Sequence, residues 1–232
     1  MGKDTNFIGQ PIFGQLLNFL DKGHIKRVSR ELEADKYVKK FTSYKHVVVM
    51  LFAVFEGYHS IRDTVLGLLS HASKLQHLGL DYIVRRSTLS DANARRPNEL
   101  FAKVYYETYS RYKDILSDSN LSKKRWQIEL LFKQLKQNFP LKYFLGDNEN
   151  AIIIQIWAAM IANLLLTILR SKIKKKWAFS NMMSIVKHQL MSYINVYSFF
   201  EDPEKSWRKV IAEEKERERM RYQDPQMTLR FT

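Results

Sequence analysis

The stretch "IIIQIWAAMIANLLLTIL", Ile152 to Leu169, decides the fold, because its eighteen residues are compatible with either a bilayer span or the centre of a helical core. It is followed by "RSKIKKK", the kind of basic flank that accompanies membrane helices. Its polar residues argue the other way. On a helical wheel with Gln155 at zero, Asn163 and Thr167 fall at ~80° and ~120°, one polar sector on an otherwise apolar cylinder. Such a helix is expected to be buried inside a protein, with no membrane involved.

Working outward, the 232-residue chain is 45% hydrophobic and 13% aromatic, a globular composition long enough for one or two cores. Its net charge is +14, and both halves contribute to the excess. That points to a polyanionic partner, usually nucleic acid and sometimes an anionic membrane. The absence of cysteine removes disulfides, thiolate zinc sites and cysteine nucleophiles, and fits a cytoplasmic setting. The start, "MGKDTNFIGQPIFGQ", lacks the charged-then-apolar pattern of a secretory signal. The six histidines show no metal-ligand spacing.

The rest of the chain reads as helices, and the expected fold class is mainly α. "IFGQLLNFLDKG" predicts a helix ending at Gly23, and "SYKHVVVMLFAVFEG" a buried helix from Ser43 to Gly57. "SIRDTVLGLLSHASKL" predicts a helix capped by Ser60, with Asp63 in a loose capping box. "RRSTLSDANARRPNELFAKVYYETYSRYKDIL" predicts a short helix capped by Ser87, then a longer one with Pro97 at its first position. The last residues, from 201 to 232, are mostly charge and predict a solvated helix fading into a tail.

Two stretches are candidates for function. In "KKRWQIELLFKQLKQNF", Lys123 to Phe139, Arg125, Glu129 and Lys136 lie within ~40° of one another on a helix, beside an apolar face of Ile128, Leu131, Phe132, Leu135 and Phe139. The cations could meet phosphates and the carboxylate a metal. Equally, Glu129 and Lys133 form an ordinary i,i+4 pair on a solvated face. In "RRSTLSDANARR", Arg85, Arg86, Arg95 and Arg96 bracket a short helix with Ser87 near its start, suited to phosphates and base edges in a major groove or to a solvated connector.

The spacing Arg125, Glu129, Lys136 in "RWQIELLFKQLKQN" resembles the C-terminal signature of DDE-class insertion-sequence transposases, the group named after insertion sequence four. "FLGDNENAIIIQIWAAMIANLLL" resembles the family's continuation. "GQPIFGQLLNFL", "KFTSYKHVVVMLFAVFEGYHSIRD" and "RRSTLSDANARR" resemble the helical domain preceding the catalytic core in a bacterial branch of it. The resemblance implies that Glu129 is the third metal-binding acid of a ribonuclease-H-like magnesium site, with Arg125 and Lys136 on DNA; Lys133, beside them on the helix, is a further candidate for phosphate contact. It also implies double-stranded DNA, specifically transposon ends, as partner, and self-assembly or mixed oligomers with an intact transposase at the nucleoid.

Two departures follow. The family's tyrosine position is Ser122. The long segment bearing both catalytic aspartates and most of the sheet is missing between "YKDILSDSN" and "LSKKRWQIE", so an internal deletion is expected near Asn120 to Lys123. Asp114 and Asp118 are not in strands that could aim them at Glu129. The expected organisation is a helical, DNA-binding part over residues 1–119, a transposase remnant carrying the glutamate helix over 120–200, and a charged tail. The expected function is a DNA-binding, catalytically impaired transposase. The alternatives are a non-enzymatic regulator of transposition and, further off, a small membrane-associated basic protein.

Overall fold

A computed structural model describes residues 9–116 and 145–205, with scattered positions as far as residue 220. Among these residues the secondary structure is helical, with no strand. The order is α1 (Ile12–Leu17), α2 (Lys22–Glu31), α3 (Ser43–Glu56), α4 (Ile61–Ser70), a 3-10 turn (Ala72–Leu78), α5 (Arg86–Arg95), α6 (Glu99–Leu116), α7 (Glu149–Lys172), α8 (Phe179–Gln189) and α9 (Val196–Glu201).

The stretch that decides the fold is the body of α7. By length and composition alone it could cross a bilayer, but 67% of its apolar window is buried in the protein. α6, α3 and α5 pack along it, and α8 and α1 close the remaining sides. Its polar sector has internal uses. The Gln155 side-chain oxygen accepts the Leu145 N–H at 2.7 Å, and the Thr167 hydroxyl donates to the Asn163 carbonyl at 2.8 Å. The Asn148 side chain caps the helix by accepting from the Ala151 N–H, while Arg170 and Lys172 face the negative end of its dipole.

α3 is buried on nearly every side from Val47 to Phe55, which is why its Val-Val-Val run forms helix despite a β preference. It ends where sequence reasoning places the stop. Gly57 adopts a left-handed φ of 70°, and the Tyr58 N–H reaches back to the Ala53 carbonyl at 3.0 Å. Ser60 caps α4 by accepting from the Asp63 N–H at 3.0 Å.

Three local expectations are corrected. The chain does not run helical to Gly23: α1 stops at Leu17 and Asp21 starts α2 by accepting from the Gly23 N–H at 2.7 Å. Aspartate two residues before that glycine offers a cap stronger than the glycine's preference for an end. Ser87 is not the cap of α5, whose capping position is Arg85 and whose Ser87 is already helical. Pro97 precedes α6 by two residues, with the turn carried by the Asn98 carbonyl.

The chain's two described parts share one hydrophobic core. Gln15 of α1 ties them at the far end, donating to the Ile194 carbonyl at 2.6 Å and accepting from the Val196 N–H at 3.0 Å. Beyond α9, the described positions from 204 to 220 are helical and exposed, as the charge pattern predicts.

Candidate nucleic-acid interface

α5 carries "RSTLSDANAR", a segment with so few apolar residues that it would not hold a helix alone. Three inward residues, Leu89, Ala92 and Asn93, fix it to α7 and α4 at i, i+3, i+4 spacing. Its end is clamped from α7. The Asn150 amide nitrogen donates to the carbonyls of Asn93 and Arg96, both at 2.8 Å, and the Asn98 amide holds the Asn150 oxygen at 2.9 Å. These bonds satisfy carbonyls that the helix leaves open at its C-terminus.

The buried side of α5 is polar as well. His46 on α3 is fully buried, with Nε2 2.7 Å from Asn93 Oδ1 and its ring edge-on to Phe101. Burial, helped by the Arg96 charge, pushes its pKa down to about 3, so the ring is neutral.

With the inner side fixed, α5 presents Arg86, Ser87, Ser90, Asp91 and Arg95 to solvent as a ridge, with Arg85 exposed just before it. A groove runs along each side. One, of about 880 Å³, lies toward the starts of α4 and α7 and takes in Arg62, Arg86, Ser87 and Ser90. The other, of about 890 Å³, lies between α5 and the turn at residues 32–41, and takes in Arg85, Arg95, Lys39 and Lys40.

The four arginines singled out by sequence therefore separate. Arg85, Arg86 and Arg95 are exposed, and Ser87 is exposed beside them. Arg96 is 5% exposed. Its guanidinium meets Asp35 at 3.3 Å, donates to the Phe41 carbonyl and, at 3.4 Å, to that of Ala34, and lies over the Phe41 ring. Asp35 also accepts from the Ser43 N–H and the Ser29 hydroxyl, each at 2.7 Å. Arg96 thus pins the 34–43 turn to the end of α5 and does not offer its charge at the surface. Burial holds its pKa below the usual arginine range, with Asp35 opposing the shift.

Sequence reasoning missed Lys39 and Lys40. They sit some fifty residues before α5, and no periodicity marks them as its neighbours. Arg125, Glu129, Lys133 and Lys136 lie outside the described residues. Among the described residues, no three His, Asp or Glu side chains are grouped to hold a metal ion; Asp114 is exposed on α6.

Residues 8–81 match a family described as a domain of unknown function (DUF4372). A 61-residue stretch is 48% identical to "Putative transposase y4zB" of Sinorhizobium fredii (strain NBRC 101917 / NGR234), covering 26% of this chain and 17% of that protein. A 51-residue stretch is 51% identical to "Putative transposase for insertion sequence element IS4SA" of Synechocystis sp. (strain ATCC 27184 / PCC 6803 / Kazusa), covering 22% and 15%. In these stretches the chain spans less than a fifth of either relative. No solved structure matches it. The chain therefore shares homologous stretches with transposases, the proteins its motifs resemble.

Proposed function

We propose that this protein binds duplex DNA as a transposase of the DDE class that has lost its catalytic segment. The observation that carries the reading is the exposed ridge of α5, with Arg85, Arg86 and Arg95 around small polar residues, in a chain homologous in part to transposases. A short helix of this kind can enter a major groove, its arginines on phosphates and Ser87 and Ser90 toward base edges. Its DNA would be element ends in the cytoplasm. Arg125, Lys133 and Lys136 would add phosphate contacts, and Glu129 would stand where the family binds magnesium. Its protein partner would be another copy of itself or an intact transposase.

The test is a binding titration on duplex DNA across salt concentrations. With ~5 phosphates neutralised, log K falls with log salt at a slope of about −4 to −5. Arg86→Ala with Arg95→Ala makes the slope shallower by about two while helicity is retained. A flat salt dependence, or a slope the double variant leaves untouched, would sink the reading.

A non-enzymatic regulator is favoured over a working enzyme by one observation. Only residues 117–148 separate α6 from α7, and they already contain the glutamate signature. A two-metal site needs several converging oxygens, and a segment this short has no room for the missing sheet and aspartates. In a magnesium- or manganese-dependent nicking assay on element-end DNA, the protein is expected to show no cleavage, and Glu129→Gln to change nothing catalytic. Robust cleavage that disappears in Glu129→Gln would show that a complete site survives.

A further inference from the structure

The two grooves beside α5 differ in character, and the difference points to different ligands. The groove shared with the 32–41 turn has an apolar floor, including Val38, Phe41 and Ile83, under a basic rim. Four exposed cations stand on that rim: Lys39, Lys40, Arg85 and Arg95. None of the four forms an ion pair among the described residues. Lys36, also on the rim, is paired with Glu33 at 2.7 Å, and Asp91, which forms no ion pair among the described residues, faces the groove. Beside them Tyr37 is 94% exposed, the most exposed of the large hydrophobic residues among those described.

Tyr37 also holds a backbone φ of 61°, in the left-handed region that a bulky residue rarely adopts. Its turn is tied from within: the Val38 N–H donates to the Asp35 carbonyl, and the Asp35 carboxylate is fixed by Ser29, Ser43 and Arg96. An aromatic ring is thus held out in water on a firm base at the edge of a cationic groove. Its contact is with Lys36, whose Nζ lies 6.0 Å from the ring centroid, and most of the ring faces solvent.

A duplex backbone offers sugars and phosphates, which use a basic rim but gain nothing from an apolar floor or a projecting ring. An unpaired base uses all three: its faces stack on aromatic or apolar surface while its phosphates meet the cations. We propose that this groove binds single-stranded nucleic acid, with a base stacked on Tyr37 and the adjoining phosphates held by Lys39, Lys40, Arg85 and Arg95. This rests on the nucleic-acid reading of α5 and extends it: the ridge meets duplex, and the groove beside it takes a strand that has left the duplex.

The test compares binding of a labelled oligothymidine of about twelve nucleotides with binding of a duplex of equal length, by fluorescence anisotropy at one salt concentration. Tyr37→Ala is expected to weaken oligothymidine binding about tenfold, Tyr37→Phe to stay within about twofold, and duplex binding to move less than about twofold in either variant. Tyr37→Ala that leaves oligothymidine binding unchanged, or weakens both ligands equally, overturns the groove's assignment. A wild-type protein that binds oligothymidine but not duplex overturns the duplex reading of α5 and supports the groove; one that binds neither overturns both.

Discussion

Arg96→Ala is expected to lower the stability of the fold by about 3 kcal/mol, while Arg95→Ala next to it changes stability by less than about 0.5 kcal/mol. The guanidinium of Arg96 is buried and meets a carboxylate, two loop carbonyls and the face of Phe41. Truncation strands both carbonyls, leaves a cavity beneath the ring and releases the 34–43 turn from α5. Arg96→Lys should recover only part of the loss, because an ammonium keeps the charge without the planar fork that reaches several acceptors. Urea denaturation of the three variants is the measurement. A Cm for Arg96→Ala equal to that of the wild type would return this residue to the solvated surface. The same result bears on DNA binding: a double Arg95, Arg96 substitution confounds contact with folding, so Arg86 and Arg95 are the pair to change.

Acid should weaken the fold well before most carboxylates protonate. His46 has a folded pKa of about 3 against an unfolded value near 6.5. Below 6.5 the unfolded chain takes up a proton that the folded chain refuses, so the unfolded state binds more protons and stability rises with pH. The contribution is therefore complete above pH 6.5, falls by about 1.4 kcal/mol per unit once pH is well below that value, and levels off near the folded pKa. From well above pH 6.5 down to pH 5 the loss is about 2 kcal/mol. The groups facing the ring are Asn93, Arg96, Phe41 and Phe101, and none offers a negative charge to an imidazolium. Denaturation at several pH values should show this slope in the wild type and a flatter one in His46→Gln, which keeps an amide for Asn93 but does not titrate. Equal slopes in both proteins would remove His46 as the cause.

Both residues belong to one buried polar cluster that sets the position of α5, which links stability to the proposed function. Loosening Arg96 or charging His46 moves the ridge and the edge of the Tyr37 groove together. Loss of DNA binding in either variant is therefore expected to follow loss of stability, whereas Arg86→Ala and Arg95→Ala should separate the two.

The helical class, the burial of Ile152–Leu169, the glycine stop of α3 and the cap at Ser60 were all legible in the sequence. Each depends on local spacing or on one residue's backbone preference, and period and capping chemistry act within a few residues of chain. The resemblance to transposases was legible for the same reason, as motifs of fixed spacing. The contrast between Arg95 and Arg96 was not: two adjacent arginines are identical as letters, and what separates them is Asp35 and the Phe41 carbonyl, reached only when the chain folds back across some sixty residues. His46 likewise looked like one more residue of an apolar helix until Asn93 came against it. Lys39, Lys40 and Tyr37 became neighbours of α5 for the same reason. Which charges face solvent, and which rings and cations share a groove, is set by long-range packing around α7, and local sequence carries no record of that arrangement.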